Sequence, residues 1–196
     1  MKINAIVLAA GFGSRLAPLT EIHPKPVLPI AGTPMLARIF RRLKNAGVDR
    51  IAVNTHHLRE QVAACAAESE YADSVTLFDE PEILGTGGPL VNAKELLADC
   101  DCFLLHNCDA VNDFDLKRMI REHLESGAAV TNGRRPRKPR VRQRRRNPRD
   151  RKPSGGEHGR HAHDLCVRLP LFPPLLRIPA GPPVQLLHRR RLGQGD

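Results

Sequence analysis

Two glycines and an arginine lie close together just after the first apolar run of the chain. In AIVLAAGFGSR, Gly11, Gly13 and Arg15 follow the segment that starts at Ala5. Glycine backbone N–H groups can approach an anion closely because no side chain obstructs them, and arginine presents a planar fork to phosphate oxygens. The dinucleotide fingerprint GxGxxG would need a third glycine where Leu16 stands, and no GKS or GKT follows. This segment alone therefore fits either a phosphate-binding loop or an ordinary structural turn.

A lysine between two prolines follows ten residues after the arginine. Pro24 and Pro26 restrict the backbone on both sides of Lys25, which suits a point charge that must be held in one direction. A plain surface lysine in a proline-rich loop is the alternative.

The first 131 residues alternate between strand-like and helix-like apolar patterns. We predict strands at 4–10, 50–55, 74–80 and 102–108, with another starting at 128–131, and helices at 34–48, 57–69, 87–100 and 113–127. Such alternation predicts an α/β fold with a Rossmann-like, doubly wound and mainly parallel sheet, incomplete on its C-terminal side. Ligands in such sheets bind beyond the carboxyl ends of the strands, which is where the glycine-rich loop falls.

The charge divides the chain into two parts. Residues 1–131 hold 13 basic and 17 acidic side chains, whereas residues 132–196 hold 18 basic and 4 acidic ones and 10 of the 17 prolines. The second part has neither periodicity, and its density of arginine and proline disfavours a packed core. The five scattered cysteines fit reduced thiols in a cytosolic protein, and no apolar run is long enough to span a membrane.

Four segments together resemble the sugar-phosphate nucleotidyltransferases, also called NDP-sugar pyrophosphorylases. They are LAAGFGSRLAPLT, PKPVLPIAGTPML, EILGTGGPLVNA and FLLHNCDAVNDFDL, all within residues 1–131. The resemblance implies that a nucleoside triphosphate (NTP) and a sugar 1-phosphate are joined with release of pyrophosphate. The sugar is mannose-like with a guanylyl donor, or N-acetylmuramate-like with a uridylyl donor. A non-sugar acceptor such as phosphocholine is an alternative.

The resemblance also implies roles for individual residues. The backbone of Leu8, Ala9, Ala10 and Gly11 would meet the base and ribose, and Gly87 and Gly88 would let the base lie against the backbone. Gly13, Ser14 and Arg15 would hold the phosphates that leave as pyrophosphate, and Lys25 would neutralise charge near the α-phosphate. Arg15 and Lys25 would be the catalytic residues.

Asp109 would bind Mg²⁺ at the end of the fourth predicted strand. Asp113 or Asp115 could instead cap the following helix. The family usually has glycine where Cys108 stands, so this cysteine is tolerable only if the backbone there does not need a positive φ. We expect His106 to be a partly buried strand residue.

The tail from residue 132 matches nothing in the resemblance. A basic arm that binds nucleic acid electrostatically is one explanation. The other is a reading frame displaced by one base, since NGRRPRKPRVRQRRRNPRDR can back-translate and shift to MAVVRENRVFVNDAGTLVTE, an ordinary α/β sequence. Under the second explanation the tail is disordered and the enzyme is impaired. The sequence does not predict an oligomeric state.

Overall fold

The computed structural model describes residues 1–109, 113–132 and 164–168. Within these ranges the strands are β1 (Ile3–Leu8), β2 (Pro29–Ile30), β3 (Thr33–Pro34), β4 (Arg50–Thr55), β5 (Val75–Asp79), β6 (Cys102–Asn107), β7 (Val130–Asn132) and β8 (Asp164–Arg168). The helices are α1 (Leu19–Ile22), α2 (Met35–Asn45), α3 (Arg59–Ala67), α4 (Gly88–Asn92), α5 (Lys94–Ala98) and α6 (Leu116–Ser126). Each predicted strand is present, with ends that shift by one or two residues.

The main sheet has the order β5-β4-β1-β6-β8-β7, and β2 pairs with β3 in a separate hairpin. The four strands from β5 to β6 are parallel, and β8 runs antiparallel to both of its neighbours. The chain order reverses at β1, whose neighbours are β4 and β6. This confirms the α/β class with a mainly parallel sheet. In such a sheet a ligand-binding crevice is expected at the carboxyl ends of β1 and β6.

Apolar side chains alternate between the two faces of the sheet. On β1, Ala5 and Val7 join a core with α2, α3 and α6, whereas Ile6 joins a second core with α5. The helix predicted over 34–48 is present as α2, and its Leu36 and Leu43 side chains are completely buried. Helices therefore cover both faces, as in a doubly wound sheet.

The helix predicted over 87–100 is divided. It turns at Ala93 into α4 and α5. Ala93 is itself buried and packs with Leu96 and Leu97 on the sheet. The turn thus brings three apolar residues of this segment to one face.

The sheet takes in five residues of the arginine-rich tail. Asp164–Arg168 form β8 between β6 and β7, where Cys166 is fully buried. We expected no regular structure from residue 132 onward. The short run that contains Cys166 and Val167 lacks proline and supplies apolar, strand-forming residues that can pair with the open side of β6. The predictions of disorder and of a displaced frame otherwise concern 133–163 and 169–196, which lie outside the described residues.

None of the helices that the structure describes is both long enough and apolar enough to cross a membrane.

Candidate functional site

The glycine-rich loop leaves β1 buried and reaches solvent at Gly11. Ala9 and Ala10 are buried, and the Ala9 N–H donates to Oδ1 of Asn54 at 2.7 Å. The Cys108 N–H donates to the Leu8 carbonyl at 3.2 Å. Part of the Leu8–Gly11 backbone that we expected to meet the nucleotide is therefore already bonded within the protein, and Gly11 is its exposed member.

Gly13 occupies a position that only glycine fits. Its φ of 67° lies in the left-handed region, and a Cβ there would come within 2.9 Å of Thr20 Cγ2 and 3.3 Å of Lys25 Cβ. The Thr20 hydroxyl donates to the Gly13 carbonyl at 3.1 Å, and the Leu16 N–H donates to the same oxygen at 2.8 Å. The loop is thus folded tightly against the segment that carries Lys25.

Ser14 and Arg15 begin a single 3-10 turn on the outer side of this loop, which ends at Leu16. Both side chains are exposed. Arg15 makes no hydrogen bond or ion pair with any residue that the structure describes. Its guanidinium is therefore available to an anion at the mouth of the crevice.

Lys25 and Asp109 meet across the crevice. Lys25 Nζ lies 2.9 Å from Asp109 Oδ2, with side chains that are 20% and 39% exposed. Asp109 follows directly after β6 and the short turn at Cys108, and β6 pairs with β1. The structure thus brings together the lysine, the aspartate and the Gly13 turn that the sequence separates.

The other aspartates near Asp109 lie elsewhere or have another task. Asp115 caps α6, because its side chain accepts from the Arg118 N–H at 3.0 Å. Asp101 accepts from the Lys2 N–H at 2.7 Å, at the amino ends of the strands. Asp113 is exposed just before α6. Of these four carboxylates, Asp109 is the one that forms an ion pair with Lys25.

The backbone at Cys108 accommodates a side chain. Among the described residues other than glycine, positive φ occurs at Ala31 and Leu58, so Cys108 is unstrained. Burial, assisted by the charge of Asp109, raises the pKa of the Cys108 thiol to about 12. We expected His106 to be partly buried, and this was wrong. Its side chain is 1% exposed, and it lies on β6 between β1 and β8.

A second loop, residues 80–87, follows β5 and leads into α4 at Gly88. Gly87 is exposed with open space where a Cβ would lie, whereas a Cβ on Gly88 would stand 2.0 Å from Leu84 Cβ. Gly88 is therefore required by packing within the loop. Gly87 supplies the open backbone surface against which a base could lie.

Sequence reasoning missed the polar residues that hold the two loops. Asn54 and Glu80 are buried at 4% and 1% exposure, and Asn54 Nδ2 donates to Glu80 Oε1 at 3.0 Å. His57 Nε2 lies 2.7 Å from the Thr20 carbonyl oxygen, and the Phe12 ring packs on His56 and His57. A polar pair at the carboxyl ends of adjacent predicted strands was the available signal for Asn54 and Glu80.

The donor set around Asp109 fits Mg²⁺ only together with phosphate oxygens. The described ranges contain no group of three or more histidine, cysteine or acidic side chains that could hold a metal alone. Mg²⁺ is commonly bound by one or two carboxylates plus substrate phosphates. Asp109 is one partly exposed carboxylate beside Lys25, so it could supply the protein's ligand in that pattern.

Comparison with known proteins gives the same picture. The sequence profile of the family described as "Nucleotidyl transferase" matches residues 4–142, which extends past the boundary expected at residue 131. The chain is 34% identical over 136 residues to the "Probable mannose-1-phosphate guanylyltransferase 2" of Arabidopsis thaliana. It is 35% identical over 132 residues to the "Mannose-1-phosphate guanyltransferase" of Candida albicans. The two alignments cover 66% of this chain, and 37% and 36% of the respective relatives, so the chain spans little more than a third of their length.

A solved structure agrees with the sequence relatives. The crystal structure of HddC from Yersinia pseudotuberculosis complexed with GMP-PN aligns with a TM-score of 0.57 and 28% identity. The alignment covers 67% of this chain and 57% of that one. With the profile match extending over most of the sequence, the chain belongs to the nucleotidyl transferase family.

Proposed function

We propose that this chain carries the NTP site of an enzyme that joins an NTP to a sugar 1-phosphate, giving an NDP-sugar and pyrophosphate. The observation that carries the proposal is the convergence of the Gly13 turn, Lys25 and Asp109 at the crevice beside β1. Family membership supports the reaction class. Because the chain spans only part of its curated relatives, the complete reaction is part of the proposal.

The phosphate end of the site is formed by the first loop. Gly13, Ser14 and Arg15 hold the β- and γ-phosphates, with the Arg15 guanidinium exposed and available for a bidentate contact. Lys25 lies behind the Gly13 turn and neutralises charge near the α-phosphate. The Gly13 turn is held by Thr20 and Lys25 by Asp109 before the nucleotide arrives, and donors held in place in this way lower the barrier to phosphoryl transfer.

Asp109 is the proposed Mg²⁺ ligand from the protein. When bound, the ion offsets negative charge on the triphosphate and helps to orient it. In the free protein, Lys25 Nζ provides the positive partner of this carboxylate at 2.9 Å. The two residues can therefore each take a ligand group of opposite sign when the nucleotide enters.

No protein nucleophile is needed for the transfer. The sugar phosphate oxygen attacks the α-phosphorus in line, and the pyrophosphate leaves on the opposite side. The chain holds the NTP so that its α-phosphorus is in line with the attacking oxygen. Arg15 and Lys25 act as the catalytic residues because they contact the phosphates whose charge changes.

The base end of the site is formed by both loops. In this proposal the backbone of Leu8, Ala9, Ala10 and Gly11 contacts one side of the base, and Gly87 with Gly88 the other; Gly11 and Gly87 are exposed. The relatives named as mannose-1-phosphate guanylyltransferases make GTP and mannose 1-phosphate the first pair to test. UTP with N-acetylmuramate 1-phosphate is the second.

Low turnover is the further expectation for this chain. The acceptor phosphate must be held close to the α-phosphorus, and the family's acceptor-binding part has no resemblance in 132–196. A cytosolic location and the absence of nucleic-acid binding also stay predictions, the second because most of the basic tail lies outside the described residues.

Nucleotide binding and turnover should be measured separately. Calorimetry with GTP, UTP, CTP and ATP, each with and without Mg²⁺, tests the site directly. Pyrophosphate release with mannose 1-phosphate and N-acetylmuramate 1-phosphate then tests transfer. We expect Mg²⁺-dependent binding of one NTP above the others. Failure to bind any of the four would contradict the proposed function.

A further inference from the structure

A chain of three hydrogen bonds, two of them buried and the third partly buried, joins the two loops of the crevice. The Ala9 N–H donates to Asn54 Oδ1 at 2.7 Å, and Asn54 Nδ2 donates to Glu80 Oε1 at 3.0 Å. The other oxygen of Glu80 accepts from the Leu84 N–H at 3.3 Å. Asn54 lies in β4 and Glu80 follows β5, so the chain of bonds runs beneath both loops from one to the other.

The polarity of these bonds requires a carboxylate at position 80. Both neighbours of the Glu80 side chain are N–H donors, and a carboxylate accepts at both oxygens. A glutamine could accept at only one of them. It would leave either the Leu84 N–H or, after rotation of the Asn54 amide, the Ala9 N–H facing another donor. Because the side chains at positions 54 and 80 are buried, a donor of either one that is left without an acceptor is costly.

The backbone of Glu80 is also held by neighbouring residues. Its backbone N–H donates to the Thr55 carbonyl at 2.8 Å, and its carbonyl oxygen lies 2.6 Å from His56 Nδ1. The described residues place no lysine or arginine in an ion pair with it. The carboxylate therefore interacts with the two loops through hydrogen bonds, without a compensating cation to explain its burial.

Each end of this chain of bonds controls backbone that faces the crevice. At one end Ala9 leads directly into Gly11 and the Gly13 turn. At the other end Leu84 packs so closely under Gly88 that a Cβ on Gly88 would lie 2.0 Å from Leu84 Cβ. A shift of Leu84 would thus move the Gly87–Gly88 backbone relative to the first loop.

We infer that Glu80, acting through Asn54, is the positioning residue that sets the spacing between the two nucleotide-binding loops. The inference rests on the proposed function, because it assumes that both loops contact the NTP. Glu80 does not touch the nucleotide. It fixes the distance between the surfaces that do.

The test is a polarity swap in the full chain, read out by NTP affinity. Glu80→Gln removes one acceptor, and Asn54→Asp places two carboxylates face to face. The double variant Asn54→Asp/Glu80→Gln restores every bond, because the new carboxylate accepts from Ala9 and from the new amide, whose oxygen accepts from Leu84. Glu82→Gln is the matched control, since this exposed glutamate of the same loop makes no described bond.

Affinity is measured by calorimetry with Mg²⁺ and the NTP that binds the wild type most tightly. The temperature is one at which circular dichroism shows all variants folded. We expect each single variant to bind on the order of tenfold to a hundredfold more weakly, as for a misplaced site. The double variant should return to within a few-fold of wild type, and Glu82→Gln should match it.

The outcomes separate the two proposals. If the wild type binds an NTP and Glu80→Gln binds it equally well, the positioning inference is wrong and the proposed function stands. If the wild type binds none, both fall. Should a single variant fail to fold, the double variant decides: restored folding and binding support the inference, and restored folding without binding overturns it.

Discussion

Lys25 Nζ and Asp109 Oδ2 lie 2.9 Å apart although their residues are separated by 84 positions in the chain. The contact follows from strand order. β1 and β6 are parallel neighbours with Leu8 opposite Asn107, so the segments that leave their carboxyl ends meet at one edge of the sheet. A cation and a carboxylate placed together there are what the proposed binding of a triphosphate and its metal requires.

Removing the charge of Arg15 or of Lys25 should weaken nucleotide binding without unfolding the protein. Hydrogen bonds to charged groups contribute about 1.5–3 kcal/mol, so Arg15→Ala and Lys25→Ala should each lower NTP affinity roughly tenfold to a hundredfold. Calorimetry gives the affinity and circular dichroism the thermal midpoint. Arg41→Ala is the control, because Arg41 is an exposed arginine paired only loosely with Glu70 at 3.5 Å. Affinities like that of the control in both variants would remove the phosphate-site assignment.

Asp109→Asn should abolish the Mg²⁺-dependent part of NTP binding. The change keeps the side-chain shape but removes the charge that a hard cation needs. The thermal midpoint should move little, because the lost ion pair with Lys25 is partly exposed. The measurement is a Mg²⁺ titration of NTP binding.

Two neighbouring aspartates provide controls with the same change of charge. Asp115→Asn should leave Mg²⁺ dependence intact, and it keeps the cap of α6 because asparagine caps a helix as well as aspartate does. Asp113→Asn should also leave it intact. A larger loss of Mg²⁺ dependence in either control than in Asp109→Asn would move the metal assignment to that residue.

Much of the sheet was predictable because its central strands are buried on both faces. Ala5, Ile6 and Val7 are each buried whichever face they point to, and this gives the continuous apolar run that the sequence shows. The place of Asp109 just after β6 followed from the strand pattern, whereas its contact with Lys25 was not predicted. The division of the helix at Ala93 and the strand formed by the tail around Cys166 depend on tertiary packing, which local patterns do not contain.

The missed part of the site consists of long-range polar contacts. Asn54 and Glu80 are 26 residues apart in the chain. An acidic residue at the end of a strand is ordinarily expected to be exposed to solvent. Thr20 lies in the short helix α1, and its sequence context does not indicate that its Cγ2 fills the space that a Cβ on Gly13 would need. These contacts are specified by the approach of whole elements, so single-segment periodicity could not find them.

Stability should fall at alkaline pH through Cys100. Burial raises the pKa of this thiol from 9.0 to about 11 in the folded protein. The unfolded chain therefore loses its proton first, and the stabilisation that is present below pH 9 is lost as the pH rises toward 11. A full proton would change the free energy of unfolding by about 1.4 kcal/mol per pH unit, and the effect of this half-buried thiol is smaller because solvent screens it.

Urea unfolding of wild type and Cys100→Ala between pH 7 and pH 11 checks this effect. The two curves of stability against pH should run parallel below pH 9 and converge above it, because the variant has no thiol to ionise at that position. Curves that stay parallel up to pH 11 would show that Cys100 ionises alike in both states.

Gly13→Ala should damage both stability and nucleotide binding. A left-handed backbone costs a residue other than glycine about 1–2 kcal/mol, and the new Cβ would stand 2.9 Å from Thr20 Cγ2, on a side chain that is itself buried. For a chain of this size we expect the thermal midpoint to fall by roughly 2–8 °C.

Gly11→Ala is the stability control for Gly13→Ala, since its Cβ would meet nothing within 4 Å. Adding Thr20→Ser to Gly13→Ala removes the clashing methyl group but keeps the hydroxyl that donates to the Gly13 carbonyl, so it should recover part of the midpoint. If Gly13→Ala melted and bound NTP like Gly11→Ala, the tight turn against Thr20 and Lys25 would not be what shapes the phosphate site.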